Sequence, residues 1–255
     1  MGDESPRVNV LGVGISAINM GRALDTIEGW IHRREPHYVC VTPAHVVMEC
    51  YRQPDLYPLF NLSGLTTPDG MSIVWLLKLH GRRGVGRVCG SDLMEAACQM
   101  SAQKGWRHFF YGGGPGVAEA LREKMTARHI GLQVVGAHSP PFGPLTPEED
   151  DKIIGQINAC HPDIVWVGIS SPKQERWMAG HLGQVSAPVL IGVGAAFDFL
   201  SGTKRRAPAW MQRSGLEWLH RLMSEPKRLW RRYAQYPLFG VLVAAQALGL
   251  KRFED

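Results

Sequence analysis

The sequence predicts an α/β fold in which a mostly parallel sheet is flanked by helices, with a helical appendage at the C-terminal end. Short apolar runs rich in Val, Ile and aromatic residues alternate with stretches of helical length. These runs lack the polar alternation of a half-exposed strand, which favours strands buried on both faces and therefore a parallel sheet. Beyond about Gly202 no further strand pattern follows.

The strands are predicted where an apolar run is closed by Gly, Pro or Ser. They are Val8–Val13, Tyr38–Thr42, Arg107–Tyr111, Leu132–Val135, Asp163–Val167 and Val189–Val193. The predicted helices are Asn19–Arg33, His45–Arg52, Met71–Leu79, Asp92–Gln103, Val117–Arg128 and Glu148–Ala159. This alternation predicts right-handed crossovers and a Rossmann-like body over residues 1–202.

Residues 203–255 form the predicted appendage. Ala207–Met223 and Lys227–Tyr236 are predicted helices, because Pro208 and Pro226 stand where a first helical turn accepts proline. The apolar stretch Leu238–Leu250 is shorter than the roughly 18 residues that a membrane-spanning helix needs.

The positive charge is concentrated in this appendage. Residues 203–232 carry nine basic and two acidic side chains, a net charge of +7, whereas the whole chain carries +5. Arginines alternate there with Trp218, Trp230 and Tyr233, which favours a basic amphipathic helix lying on an anionic membrane surface. An ordinary surface helix is the alternative, and nucleic acid is not an expected partner.

Several classes of site find no support in the sequence. The five cysteines include no CxxC pair, so neither a disulfide framework nor a zinc site is expected, and a reducing cytoplasm fits. The first residues do not resemble a signal peptide. HExxH, GxSxG and P-loop patterns are absent. The acidic run 146–151 fits a capped helix start, so no metal site is expected.

A glycine-rich turn closes the strand Arg107–Tyr111 and precedes a helix. Gly112, Gly113 and Gly114 would let backbone N–H groups approach a nucleotide diphosphate. A tight turn without a ligand explains the same spacing equally well. A dinucleotide fingerprint fits badly, because Val117 stands where its third glycine belongs.

Three further polar side chains are candidate site residues. Asp69 lies in a turn that enters a predicted helix, where it would serve either as a general base or as the N-cap of that helix. Gln174 follows a buried strand, at a ligand position of α/β folds. Asp198 lies among apolar neighbours and needs a partner if it is buried.

Eight short motifs together resemble one enzyme family, the WecG/TagA/CpsF glycosyltransferases of family 26. The resemblance runs from about Val8 to Tyr233. The motifs are Asp69-Gly70-Met71, Gly90-Ser91-Asp92, Phe110-Tyr111-Gly112-Gly113, Pro172-Lys173-Gln174-Glu175, Gly192–Phe199, Arg206-Ala207-Pro208, Gly215–Leu222 and Glu225-Pro226-Lys227-Arg228.

The resemblance implies a bacterial enzyme of surface-polysaccharide assembly. Such enzymes move a sugar from a UDP donor to a polyprenyl-diphosphate-linked saccharide, at the inner face of the cytoplasmic membrane. It also implies inversion without a metal ion or other cofactor, with Asp69 as the general base. The sequence does not name the sugar: UDP-glucose, UDP-glucuronate, UDP-N-acetylmannosamine and its uronate all remain open.

The resemblance assigns substrate contacts as well. Thr42, Arg87 and Gln174 are the matching positions. On the same resemblance, Arg221, Arg228 and Arg231 would bind the acceptor diphosphate and the anionic lipids of the membrane. The family usually carries an Asn near Thr42, where this chain has Pro43 and Ala44, followed by His45.

Two other functions stay open on the residues alone. One is a nicotinamide-dependent oxidoreductase on the same fold. The incomplete dinucleotide-binding fingerprint, with Val117 in place of its third glycine, argues against this function. The other is a non-catalytic membrane adaptor. Self-association into a homo-oligomer is a further expectation.

Overall fold

The structure is a computed structural model that describes residues 5–141 and 143–253. The predicted body and appendage also include residues 1–4, 142 and 254–255, which lie outside the described residues.

The strands of the described chain build a large sheet and a small one. They are β1 (Arg7–Val10), β2 (Val13–Ser16), β3 (His37–Thr42), β4 (Leu65–Pro68), β5 (Arg107–Gly112), β6 (Gln133–His138), β7 (Ile164–Gly168) and β8 (Val189–Gly192). The large sheet has six strands in the order β4-β3-β8-β7-β5-β6. Strand β3 pairs parallel with β8, β8 with β7, β7 with β5, and β5 with β6.

Helices connect and flank these strands. They are α1 (Met20–Arg33), α2 (Ala44–Arg52), α3 (Tyr57–Asn61), α4 (Met71–Leu79), α5 (Gly90–Lys104), α6 (Val117–Arg128), α7 (Pro147–Ala159), α8 (Lys173–His181), α9 (Ala196–Leu200), α10 (Ala209–Arg213), α11 (Glu217–Ser224), α12 (Pro226–Tyr233) and α13 (Tyr236–Ala247). The predicted Rossmann-like α/β architecture is therefore confirmed.

Two compact units make up the chain. The first contains the residues up to Met20, Val41–Cys89 and the residues from Arg206 onward; the second contains Gly21–Cys40 and Gly90–Arg205. The helices after Arg206 thus belong to the same unit as Asp69. The predicted division at residue 202, with a membrane-facing role for the segment after it, stays a prediction.

The second unit has a buried aromatic core along its parallel strands. Trp166 and Phe110 are fully buried. The indole N–H of Trp166 donates to Nδ1 of His108 at 2.8 Å, and Nε2 of the fully buried His108 has no hydrogen-bond partner in the described chain. Burial lowers the pKa of His108 to about 3, because a charged imidazole loses its hydration there.

The acidic run before helix α7 begins that helix, as predicted. The Thr146 hydroxyl accepts the Glu149 N–H at 3.2 Å, and the Glu149 carboxylate accepts the Thr146 N–H at 2.8 Å. This reciprocal capping box satisfies two helix-start donors. The described residues contain no group of three or more His, Cys, Asp or Glu placed to hold a metal ion.

The predicted strand Val8–Val13 is wrong. The chain turns at Leu11 and Gly12, which have φ of 53° and 90°, and β1 pairs antiparallel with β2 in a separate two-stranded sheet. Hydrogen bonds join this hairpin to α13. The Leu11 N–H donates to the Gln246 amide oxygen at 3.0 Å, and the Gln246 amide nitrogen donates to the Asn9 carbonyl at 3.1 Å.

The predicted continuous helix Ala207–Met223 is also wrong. It is interrupted between α10 and α11 at Gly215, which has φ of +75°. A Cβ atom on Gly215 would lie 3.2 Å from both Met71 Cβ and Trp75 Cη2. Only glycine combines this backbone conformation with so close an approach to helix α4.

Candidate active site

An open pocket lies in the first unit, and we call it the Asp69 pocket. It is lined by Pro43, Ala44, His45, Asp69, Gly70, Met71, Ser72, Trp75, Arg87, Gln212, Gly215, Glu217, Trp218, Arg221, Tyr233 and Tyr236.

Asp69 follows β4 and precedes α4, at the carboxyl end of its strand. Its backbone N–H donates to the carbonyl of Thr42 at 3.4 Å, which places the ends of β3 and β4 side by side. The N-cap residue of α4 is Gly70, with φ of +83°, and glycine has no side chain with which to cap the helix. The N-cap interpretation of Asp69 is therefore wrong, and its half-buried carboxylate lines the pocket instead.

Thr42 directly precedes three residues that line the pocket, Pro43, Ala44 and His45. Thr42 itself is fully buried at the end of β3. A substrate contact by Thr42 stays a prediction.

Arg87 is held by the C-terminal helices. Its guanidinium donates to the Glu217 carboxylate at 2.8 Å and to the Gln212 amide oxygen at 3.0 Å. The two side chains of the ion pair are only 15% and 23% exposed, so solvent screens them less than a surface pair. Arg87 is thus a preformed cationic group on the pocket wall.

Aromatic rings form one side of the pocket. Trp218, Tyr233 and Tyr236 meet one another at centroid distances of 5.3–5.8 Å. Burial raises the pKa of both tyrosines, and the nearby Asp69 charge raises it further, so both phenols stay protonated at neutral pH. Together with Trp75 they offer apolar faces and hydroxyl groups to a ligand.

The predicted arginines separate into two groups. Arg221 lines the pocket, whereas Arg228 and Arg231 are exposed. Arg228 pairs with Glu225 at 2.5 Å, and Arg231 lies 5.5 Å from the ring centre of Trp230.

The neighbouring Arg232 is half-buried. Its pKa is lowered by burial and by the cations Arg221 and Arg228. The family resemblance assigns no substrate contact to Arg232.

His45 is a pocket residue to which the sequence assigned no role. It lies in the first turn of α2 and meets the Tyr233 ring edge-on, with a centroid distance of 6.3 Å. Its pKa lies well below the ordinary value because of burial and of the cations Arg232 and Arg221, so the imidazole is neutral at physiological pH.

The predicted glycine turn lies in the second unit. A Cβ on Gly112 would lie 2.6 Å from Gly168, and one on Gly113 would lie 2.6 Å from Val117. The Gly113 N–H donates to the Gly168 carbonyl at 3.1 Å. The chain's own packing therefore requires these two glycines, and nucleotide binding by Gly112–Gly114 stays a prediction.

Gln174 also belongs to the second unit and is only 3% exposed. Its amide nitrogen donates to the Glu175 carboxylate at 2.9 Å, and its amide oxygen accepts the Gly194 N–H at 3.0 Å. The Asp198 carboxylate forms an ion pair with Lys204 at 2.9 Å. Lys204 is therefore the partner that the sequence predicted for Asp198. Substrate binding by these two residues stays a prediction.

The structure thus brings Asp69, Arg87 and Arg221 into one pocket of the first unit. The sequence predicts their aromatic neighbours Trp218 and Tyr233 on a helix that lies on a membrane surface. Only the folded chain shows that they share a cavity with a carboxylate.

Comparison with known proteins gives a consistent result. The family model described as the glycosyl transferase WecG/TagA/CpsF family matches residues 8–253. A Bacillus subtilis protein named N-acetylglucosaminyldiphosphoundecaprenol N-acetyl-beta-D-mannosaminyltransferase is 26% identical over 236 residues, 89% of this chain and 90% of that protein. A Bacillus spizizenii protein of the same name is 27% identical over 210 residues, 82% of this chain and 79% of that protein.

Proposed function

Because the chain belongs to the WecG/TagA/CpsF family of glycosyltransferases, we propose that it moves a hexose or N-acetylhexosamine from a UDP-sugar to a polyprenyl-diphosphate-linked saccharide. The product enters bacterial surface or exopolysaccharide synthesis. The names of the two relatives specify an N-acetylmannosamine donor sugar and an N-acetylglucosamine acceptor on a diphosphoundecaprenol. This pair is therefore the first to test.

The observation that carries the proposal is the Asp69 carboxylate in a pocket lined by aromatic rings and arginines. Asp69 takes the proton of the attacking acceptor hydroxyl. The hydroxyl oxygen then forms a bond to the anomeric carbon from the face opposite the UDP. The bond between that carbon and the phosphate oxygen breaks, and UDP leaves with the electron pair. One displacement of this kind inverts the anomeric configuration.

Fixed cations in the pocket support phosphate binding. Arg221 lines the pocket, and Arg87 is oriented by two hydrogen bonds. Guanidinium groups bind phosphate oxygens in a fork, so they can neutralise a diphosphate group. On this proposal transfer proceeds without a metal ion, and chelation of divalent cations leaves the rate unchanged.

We further propose that the protein binds the inner face of the cytoplasmic membrane peripherally. Within the described residues, no helix has both the length and the hydropathy needed to cross a membrane. Helix α12 exposes Arg228, Arg231 and Trp230, and α13 exposes Leu238 and Val241. Cationic and apolar side chains side by side suit an anionic lipid surface.

The test is a donor screen with a short-chain prenyl-diphosphate acceptor, with UDP release as the readout. The enzyme should accept one UDP-sugar and keep its rate in excess EDTA. Asp69→Asn should lower kcat by about 100- to 10,000-fold with an unchanged circular dichroism spectrum. The matched control is Asp25→Asn, which changes an exposed carboxylate on α1 and should leave the rate unchanged.

Near-normal turnover by Asp69→Asn would refute the assignment of the base. If transfer is absent from the wild type and Asp69→Asn still supports polysaccharide export in cells, the adaptor hypothesis is favoured instead. The oxidoreductase alternative predicts binding of a nicotinamide dinucleotide in place of UDP, and family membership counts against it.

A further inference from the structure

His45 occupies the wall of the Asp69 pocket without a role in the chemistry proposed above. Its imidazole meets Tyr233 edge-on, and no hydrogen bond from the ring to another described residue is present. Most buried polar groups have such a partner. An imidazole placed this way is available to a ligand.

The charged groups and the amide of the pocket differ from His45 in what they offer, whereas the hydroxyls of Ser72, Tyr233 and Tyr236 can also both donate and accept. Arg87 and Arg221 are donors only. The Glu217 carboxylate and the Gln212 amide oxygen already accept hydrogen bonds from Arg87. Asp69 is the proposed base. A neutral imidazole supplies one donor and one acceptor, which matches a sugar hydroxyl or an acetamido group.

The surroundings of His45 keep it in this neutral form. Burial first, and then the cations Arg232 on α12 and Arg221 on α11, lower the pKa of His45 and so disfavour a second proton. Tyr233 packs against the ring as a neutral phenol. Asp69, at the end of β4, is the acidic group of the same pocket wall.

We propose that His45 is a specificity-determining residue that hydrogen-bonds a hydroxyl or acetamido group of the acceptor sugar and orients that sugar toward Asp69. This inference rests on the proposed function. It adds to the proposed base and arginines a side chain that distinguishes the acceptor sugar from other sugars.

Two variants separate hydrogen bonding from packing. His45→Phe keeps an aromatic edge against Tyr233 but removes both ring nitrogens. His45→Gln keeps one donor and one acceptor on a neutral side chain. The matched control is His80→Ala, an exposed histidine at the end of α4 that does not line the pocket.

The experiment measures KM and kcat for the acceptor and KM for the UDP-sugar. His45→Phe should raise the acceptor KM about tenfold, as for one lost hydrogen bond, with the donor KM within about twofold of wild type. His45→Gln should recover part of this loss, and His80→Ala should have no effect. A purely packing role predicts instead that His45→Phe behaves as wild type, and this result would overturn the inference.

An acceptor series identifies the group that His45 reads. Acceptors that each lack one hydroxyl or the acetamido group are compared on wild type and His45→Phe. One of them should weaken the wild type about tenfold and leave His45→Phe unaffected. If every analogue weakens both proteins equally, the inference is wrong.

Failure of the proposed function gives a different result. In that case the wild type releases no UDP from any donor. Acceptor binding is then followed by the fluorescence of Trp75 and Trp218, which line the pocket. Weaker binding by His45→Phe than by wild type still supports the inference, and equal binding refutes it.

Discussion

Gly215 offers a direct test of how the C-terminal helices are fitted to helix α4. Its φ of +75° costs an L-residue about 1–2 kcal/mol. An added Cβ would also lie 3.2 Å from Met71 Cβ and Trp75 Cη2, and overpacking of this kind costs about 1–3 kcal/mol. We therefore expect Gly215→Ala to lower the free energy of unfolding by about 2–5 kcal/mol.

The matched control is Gly81→Ala, in the same unit and at the end of the same helix. Gly81 has φ of +79°, but an added Cβ would meet nothing within 4 Å. Gly81→Ala should therefore lower the free energy of unfolding only by the cost of the backbone conformation, about 1–2 kcal/mol. The difference between the two variants isolates the contact with α4.

Urea unfolding followed by circular dichroism measures both variants. Because Gly215 and Glu217 line the pocket, Gly215→Ala should also raise the acceptor KM, while Gly81→Ala should not. If the two variants are equally stable, the packing of the C-terminal helices against α4 does not constrain Gly215, and the reasoning fails.

Two further predictions concern the buried histidine and the basic helix. In the folded protein the pKa of His108 is about 3, against an ordinary 6.5. Its contribution to the free energy of unfolding is therefore complete above pH 6.5 and is lost as the pH falls toward 3. The loss is at most about 1.4 kcal/mol per pH unit. His108→Leu should flatten the fall of urea midpoints between pH 6.5 and 4, and an unchanged slope would contradict this. Replacing Arg228 and Arg231 by Ala should weaken sedimentation with anionic vesicles about 30-fold, at about 1 kcal/mol per arginine. The control pair Arg22→Ala and Arg122→Ala should bind as wild type, and equal losses in both pairs would contradict a specific role for α12.

The sequence predicted the central strands well, because β3, β5, β7 and β8 are apolar, branched and closed by small residues. It misread Val8–Val13 because the turn at Leu11 and Gly12 hides inside an apolar run. Strand β4 is absent from the predicted strands, since its residues, Leu-Thr-Thr-Pro, are half polar. Pairing with a neighbour, which no local pattern reveals, decides both cases.

The site could be predicted in part. Asp69 is recognisable as an acid in a turn between a strand and a helix, and the position of Gly70 as the N-cap separates the two interpretations of it. The rotation of helix α12 is not readable from its sequence, where Arg231 and Arg232 are adjacent. The structure half-buries Arg232 near Arg221 and leaves Arg231 exposed.

The hydrogen bonds between the first hairpin and helix α13 have a consequence for biosynthesis. Asn9 and Leu11 receive their partner Gln246 only after more than two hundred further residues have been translated. The first unit is assembled from three separated stretches, so it cannot mature on the ribosome until its last helices emerge. Until then the Leu11 N–H and the Asn9 carbonyl lack their Gln246 partner.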